Sequence, residues 1–308
     1  MLSDSVLLDW CGSRLGSRPR TAILRSGHLS HVLGVILADG RRVAIKSRKF
    51  EERIIGCTTV QAHLASHGFP CPAPLAGPDK VDGHAVTAET MIEGGQQHDV
   101  NTGPHPFASL LARLIRSAPD VARMPALTPS PPWTAWDRAG SRLWPDSDDH
   151  GRDLNQTPGP DWVDTAAAAV RRRLLGYSPG LRIGHGDWES QNIRWAGDNP
   201  LVVHDWDSVI AQPEACIVGL ASAVWAAQGK PHEAASVQQS AEFLTAYQQA
   251  AGVQWSEDDT RAAWAAGLWV RLFNAKKDAA AGGGPQLDRL ADELPERLSY
   301  AGLDTRSA

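Results

Sequence analysis

The 308-residue sequence lacks the features that define several protein classes. Its four cysteines are scattered and form no CxxC pair, which argues against a disulfide framework and for reduced thiols. No uninterrupted apolar stretch approaches the roughly 20 residues that a membrane-spanning helix requires, and the N-terminus carries acids and only a brief apolar run, unlike a signal peptide. The formal net charge of -5 provides no basic surface for nucleic acid. We therefore expect a cytoplasmic protein that binds neither membranes nor nucleic acids.

The first ninety residues predict mainly β-structure with one helix. Two apolar runs flank Ala38-Asp39-Gly40, and an Asp-Gly pair between such runs is typical of a β-hairpin. Residues 51–66 have helical character, and Gly68 is placed to end that helix. Residues 83–95 predict one more strand, which ends at Gly94-Gly95. This glycine pair is an expected joint between two lobes.

The rest of the chain predicts mainly helices. Apolar residues recur at helical spacing over 107–117, and the alanine-rich segment 161–177 has strong helical character. Two further helices are expected, one ending near Gly252 and one beginning at Ser256. The stretch from 120 to 160 is rich in proline, aspartate and tryptophan and is expected to be irregular.

The stretch 184–208 surrounds two short apolar runs with polar residues. The first run starts at Asn192, the second covers 201–203, and turn-forming residues separate them. A hairpin over these runs brings Asn192, at its entrance, close to Asp205, just past its exit. Asp187 precedes Asn192 by five residues, so two carboxylates and an amide oxygen converge on one small volume.

Such a cluster predicts a cation site. Two carboxylates that close are unfavourable unless a cation or a proton separates them. Oxygen ligands without cysteine suit Mg²⁺, which keeps several waters and usually binds substrate phosphates as well. A Mg²⁺ site with one carboxylate left free as a base is what phosphoryl transfer requires. The competing interpretation is an acidic surface loop followed by an ordinary hairpin.

Two motifs in this stretch, HGDWESQN and then VVHDWD, resemble the aminoglycoside phosphotransferase family, whose members are relatives of the protein kinases. The resemblance implies an α+β, two-lobed protein-kinase-like fold. A small, mainly antiparallel β lobe over 1–89 would bind the nucleotide, 90–95 would form the hinge linker, and a larger, mainly helical lobe over 96–308 would carry the catalytic loop, the metal site and the acceptor pocket.

The same resemblance assigns roles to individual residues of the catalytic loop. It implies that Asp187 is the catalytic base that orients the acceptor hydroxyl. It implies that Asn192 and Asp205 bind Mg²⁺, and that His185 is a structural part of the loop. The implied reaction is transfer of the γ-phosphate of ATP or GTP to a hydroxyl of a small molecule.

The small lobe contains the candidate nucleotide-binding residues. The segment RRVAIKSR matches the kinase-like V-A-I-K strand, in which Lys46 would hold the α and β phosphates. Gly27 and Ser30 lie where the family has its phosphate-covering loop. Glu89 ends the small lobe and Met91 follows in the linker, whose backbone groups would meet the nucleotide base.

Position 57 departs from the family pattern in a way that bears on catalysis. Cys57 lies where a glutamate that pairs with Lys46 is expected, and Glu51 and Glu52 lie one to two helical turns earlier. Either one of these glutamates pairs with Lys46, or the lysine is positioned in another way. The departure keeps open a second class of function, a non-catalytic nucleotide-binding protein.

The acceptor is not defined by the motifs. An aminoglycoside-type antibiotic or an amino sugar is one candidate, and a primary metabolite such as choline, homoserine or a sugar is the alternative. Trp188 and Trp206 flank the catalytic and metal acids and could form walls of an acceptor pocket for a ringed or cationic molecule. Asp207 and Glu189 could hold a substrate amine, although solvated surface positions are the competing interpretation for both.

Overall fold

A computed structural model describes residues 2–27, 30–146, 151–229 and 234–304. Within these residues the N-terminal part of the chain forms an antiparallel sheet with the strand order β1-β2-β3-β5-β4. Its strands are β1 (Pro19–Ser26), β2 (His31–Leu37), β3 (Arg42–Lys49), β4 (Pro74–Val81) and β5 (His84–Thr90). The expected hairpin joins β2 to β3, and its turn contains Gly40 at a φ of 88°, a left-handed conformation that glycine adopts without strain.

Two helices accompany this sheet. Helix α2 (Arg53–Ser66) follows β3 and agrees closely with the predicted segment. Helix α1 (Asp4–Leu15) corrects the prediction of a single helix in the first ninety residues. It buries only Leu7 and Cys11, which pack against the apolar face of the sheet, so its apolar stripe is too short to stand out from the sequence.

The C-terminal part is mainly helical. Its helices are α3 (His105–Ser117), α4 (Asp161–Leu175), α5 (Glu214–Val224), α6 (Val237–Ala251), α7 (Glu257–Ala280) and α8 (Pro285–Tyr300). Two short antiparallel ribbons pair β6 (Leu181–His185) with β9 (Val209–Pro213), and β7 (Ile193–Ala196) with β8 (Asn199–Val203). The β7–β8 ribbon is the hairpin expected around residues 192–203. The predicted combination of an N-terminal antiparallel sheet and a helical C-terminal region is confirmed.

The core of the helical region forms around α5 and α7. Helix α5 is buried along almost its whole length, and the two helices approach so closely that a side chain at Gly219 would meet the backbone of Ala263, with a Cβ 2.0 Å from its carbonyl oxygen. Trp144 lies against Trp269 at a ring-centroid distance of 5.6 Å and fills the space beside α7. Helix α5 in turn packs against the β6–β9 ribbon. None of the helices in the described ranges combines the length and the apolarity needed to cross a membrane.

Candidate active site

The loop between β6 and β7 is fixed by a buried histidine. Nε2 of His185 donates to the carbonyl oxygen of His204 at 3.0 Å, and its Nδ1 accepts the backbone N–H of Asp187 at 3.2 Å. Burial lowers the pKa of His185, so the ring is neutral and can both donate and accept. The histidine therefore joins the start of the loop to the chain just after β8, in keeping with the structural part expected for it.

Asp187 and Asn192 are in direct contact. Nδ2 of Asn192 donates to the backbone carbonyl of Asp187 at 3.0 Å and to its Oδ2 at 2.9 Å. These bonds use the amide nitrogen and leave Oδ1 of Asn192 for another partner. Burial, together with the charge of the nearby Asp205, raises the pKa of the Asp187 carboxyl.

Asp205 follows β8 at a sharp change of chain direction. Its φ of 64° places it in the left-handed region, which aspartate tolerates better than most residues. The hydroxyl of Ser208 donates to its Oδ2 at 2.9 Å. The carbonyl of Asn192 accepts the N–H of His204 at 2.8 Å, so the hairpin holds the two ends of the 192–205 segment together.

A cavity of about 510 Å³ separates the sheet from the β7–β8 ribbon, a size typical of small-molecule sites. The predicted residues that line it come from both sides: Ser30, Lys46, Glu89, Met91, Asn192, Asp205, Trp206 and Asp207. Gly27 lies at the end of β1 with a φ of 136°, where a Cβ would overlap the carbonyl of Ser30, so only glycine fits there. Asp187 does not line this cavity, but it is in contact with Asn192, which does.

Lys46 pairs with Glu89, a role that the sequence did not predict for this glutamate. Its Nζ lies 2.7 Å from Oε1 of Glu89, so neither Glu51 nor Glu52 takes this place. Although burial alone would lower the pKa of Lys46, the Glu89 carboxylate raises it above the ordinary value. Met91 lines the cavity, but its N–H already donates to the carbonyl of Arg42 at 3.0 Å and is not free for a nucleotide base.

The candidate acceptor-binding residues differ in their access to the cavity. Trp188 is 1% exposed and its indole N–H donates to the carbonyl of Phe107 at 3.2 Å, so it packs in the core and not on a pocket wall. Trp206 is 2% exposed and only borders the cavity. The carboxylate of Asp207 is paired with Arg48, which neutralises the charge proposed for a substrate amine.

Glu189 lies within the loop between β6 and β7, two positions after Asp187. Its carboxylate accepts a hydrogen bond from Nε2 of Gln191. Burial raises the pKa of Glu189 well above its usual range, and the nearby charge of Asp187 adds to the effect. A cationic group beside these two acids would relieve their mutual repulsion.

Three residues of the site escaped the sequence analysis: Arg48, Arg53 and Gln61. Arg48 lies two positions after Lys46, and alternation along a strand places both on the same face, so the signal was present. Gln61 lies one helical turn after Cys57, on the side of α2 that faces the cavity. Arg53 is buried and donates to the carbonyls of Asp207 and Val209, contacts more than 150 residues away that no local pattern indicates.

The donor set fits a magnesium ion better than a transition metal. In the described part of the chain no three or more histidine, cysteine, aspartate or glutamate side chains are grouped to hold a metal. Asn192 and Asp205 instead offer two oxygen donors on one cavity wall, which suits an ion that takes its other ligands from water and phosphate. Burial and the negative charge of Asp205 raise the pKa of Asp187, and a bound Mg²⁺ would offset this negative charge.

An antiparallel sheet over a cavity, opposite a loop with an aspartate and an asparagine in contact, is the arrangement of a protein-kinase-like phosphotransferase. Residues 21–264 match the family model described as the phosphotransferase enzyme family, and the chain belongs to that family. No curated protein matches the chain by sequence. The family that the two motifs led us to expect is thereby confirmed.

Solved structures share the fold over nearly the whole chain. Amicoumacin kinase hAmiN, solved with AMP-PNP, Ca²⁺ and Ami, superposes with a TM-score of 0.70 at 12% identity, covering 98% of this chain and 96% of that one. A thermostable mutant of aminoglycoside phosphotransferase APH(4)-Ia, solved with ADP and hygromycin B, superposes with a TM-score of 0.61 at 14% identity, covering 98% of both chains. A choline/ethanolamine kinase family protein from Mesorhizobium loti superposes with a TM-score of 0.56 at 16% identity, covering 96% of this chain and 91% of that one. These low identities establish the protein-kinase-like fold.

Proposed function

We propose that this protein transfers the γ-phosphate of ATP or GTP to a hydroxyl group of a small molecule. The observation that carries the proposal is the catalytic loop, in which Asn192 and His185 hold Asp187 beside a cavity that also contains Lys46. The proposal is supported by the family match and by neighbours whose structures contain AMP-PNP or ADP. The segment 90–95 would be the linker between a nucleotide-binding lobe, 1–89, and a catalytic lobe, 96–308.

Five residues of the site have a part in the proposed mechanism. Lys46 neutralises the α and β phosphates of the nucleotide, and Ser30 borders them from the loop between β1 and β2. Oδ1 of Asn192 and the carboxylate of Asp205 would hold Mg²⁺, which when bound neutralises charge on the phosphate oxygens. Asp187 keeps its Oδ2 on the Asn192 amide, so its Oδ1 accepts the proton of the acceptor hydroxyl.

The acceptor proposed first is an aminoglycoside-type antibiotic or an amino sugar. Glu189 supports a cationic group, because its half-buried carboxylate lies near the charge of Asp187. Choline, homoserine or a sugar is the alternative, supported by the similarity to a choline/ethanolamine kinase family protein. Four free, buried cysteines are in keeping with a cytoplasmic enzyme.

Two substitutions test the catalytic assignment. Asp187→Asn should lower the phosphoryl-transfer rate by about 10²-fold or more and leave the affinity for the nucleotide nearly unchanged. Asp205→Ala should abolish Mg²⁺-dependent nucleotide binding, measured by calorimetry. Asp198→Asn is the matched control, because Asp198 is an exposed acid in the turn at the other end of the hairpin.

The acceptor assay uses purified protein with Mg²⁺-ATP or Mg²⁺-GTP and a panel of aminoglycosides, amino sugars, choline and homoserine. Turnover of metabolites alone would contradict the antibiotic assignment and leave the kinase assignment intact. Nucleotide binding without transfer or hydrolysis would instead favour the non-catalytic alternative. An equal loss of binding and rate in Asp187→Asn would make Asp187 a structural residue.

A further inference from the structure

The ion pair of Lys46 lies entirely within the sheet. Strands β3 and β5 are antiparallel neighbours, with Lys46 opposite Thr87 and Ala44 opposite Glu89. Lys46 and Glu89 are therefore diagonal neighbours on the same face, close enough for their side chains to meet. The Glu89 side chain is 7% exposed and that of Lys46 is 26% exposed, so the lysine keeps access to the cavity while its partner is buried.

The second oxygen of Glu89 is held by helix α2. Nε2 of Gln61 donates to Oε2 of Glu89 at 2.8 Å and to the carbonyl of Pro72 at 2.9 Å. Both protons of the Gln61 amide are thus used, and both oxygens of Glu89 have partners. These hydrogen bonds and the ion pair hold the Glu89 carboxylate in one strongly preferred position.

The expected glutamate position on α2 has no part in this network. Cys57 lies one turn before Gln61, and its Sγ is directed to the carbonyl of Asp207, 3.8 Å away. Burial raises the pKa of the Cys57 thiol, so this position supplies no negative charge. The carboxylate next to Lys46 comes from β5 instead.

We propose that Glu89 is the positioning residue for Lys46, in place of a glutamate on the helix, and that Gln61 orients Glu89. This inference rests on the proposed function, since it takes Lys46 as the residue that binds the nucleotide phosphates. In protein kinases the corresponding lysine pairs with a glutamate on a helix, and the position of that helix controls activity. Here strand pairing alone brings Lys46 and Glu89 together, so a shift of α2 would remove the Gln61 amide but leave the ion pair in place.

The test compares Glu89→Gln with the wild-type chain. The substitution keeps the shape of the side chain and removes its charge, so Lys46 loses the group that orients it. We expect kcat/KM for Mg²⁺-ATP to fall by about 10- to 100-fold, because a small displacement of a positioning group weakens alignment of the phosphates. The dissociation constant for Mg²⁺-AMP-PNP, measured by calorimetry without acceptor, should rise by about 10-fold. Glu242→Gln, at an exposed acid on α6, should change neither quantity.

A charge-retaining variant separates positioning from a merely structural role. Glu89→Asp keeps the negative charge on β5 next to Lys46 but shortens the side chain. If Lys46 needs a neighbouring carboxylate, Glu89→Asp should bind Mg²⁺-AMP-PNP more tightly than Glu89→Gln. Equal affinities in the two variants, together with equal melting temperatures, would overturn the proposal.

Two further outcomes would also overturn it. Unchanged nucleotide affinity in a folded Glu89→Gln protein would show that Lys46 does not depend on Glu89. A large loss of nucleotide affinity in Glu52→Gln would show that the partner of Lys46 is the glutamate at the start of α2. If Glu89→Gln fails to fold, Glu89→Asp replaces it, and this charge-retaining variant should bind the nucleotide more tightly than Glu89→Ala. The calorimetry needs no acceptor, so failure of the proposed kinase activity and failure of this inference can be distinguished.

Discussion

Arg53 provides a sharp test of how the two parts of the chain are joined. It lies at the start of α2, is 2% exposed, and donates to the carbonyls of Asp207 and Val209, both at 2.6 Å. These two carbonyls belong to the segment directly after Asp205. The guanidinium therefore fixes the chain that carries the proposed metal ligand to the helix that borders the cavity.

Arg53→Met keeps most of the aliphatic stem and removes both hydrogen bonds. A hydrogen bond to a charged donor contributes about 1.5–3 kcal/mol, so two such bonds contribute about 3–6 kcal/mol. Removing the buried charge offsets part of this lost stability, because burial of the guanidinium is itself costly and its Nε has no hydrogen-bond partner. We expect a net loss of about 2–4 kcal/mol in the free energy of unfolding, which for a chain of 308 residues corresponds to a fall of about 3–6 °C in Tm.

The measurement is differential scanning calorimetry, together with the affinity for Mg²⁺-AMP-PNP, which should weaken as Asp205 loses its fixed position. Arg113→Met is the matched control. Arg113 also donates to a backbone carbonyl, that of Gly68, at 2.6 Å, but at an exposed site where we expect a loss below about 1 kcal/mol. If the two variants melt within about 1 °C of each other, the reasoning on Arg53 is refuted.

Two further predictions concern stability. Gly219→Ala should lower the free energy of unfolding by about 2 kcal/mol or more, because its Cβ would overlap the backbone of α7. The control is Gly180→Ala, where a Cβ would meet no atom within 4 Å and the change should stay below about 0.5 kcal/mol. Equal urea midpoints for the two variants would contradict this prediction. Hydrogen bonds from the hydroxyls of Ser256 and Tyr177 lower the pKa of Asp259. The stability that this lowered pKa contributes is present above the pKa of the unfolded chain and disappears as the pH falls through the folded value, so Asp259→Asn should destabilise the protein at pH 7 and have little effect in strong acid. A deficit of the same size at both pH values in urea titrations would rule out the ionic origin of the effect.

Much of the candidate site was predictable because its parts are close in the sequence. Asp187, Asn192 and Asp205 fall within 19 consecutive positions, and turn-forming residues between two short apolar runs indicated how the chain folds back. A hairpin of this kind is set by local alternation and turn chemistry. The structure brings the side chains of Asn192 and Asp205 to one cavity and Asp187 into contact with Asn192. Their catalytic and metal-binding roles stay predictions.

Other features depend on contacts that no local pattern reports. Helix α1 was missed because it buries only two side chains, and its position depends on the sheet face that it covers. Trp188 was expected at a pocket wall from its place next to Asp187, but its indole fills the core beside Phe107. Two neighbouring positions on a loop can face opposite sides, and the packing around them decides which side each one faces.

The sequence by itself determined the family, the order of an antiparallel sheet before a helical region, and the oxygen-rich loop and hairpin, because each depends on motifs or on periodicities over a few residues. Tertiary structure alone decided which acid accompanies Lys46. Glu89 lies 43 positions further along the chain, and it becomes a neighbour only because β5 pairs with β3 and α2 places the Gln61 amide behind it. Such partners are chosen by strand order and helix packing, which follow from burial of the whole apolar core and not from any single segment.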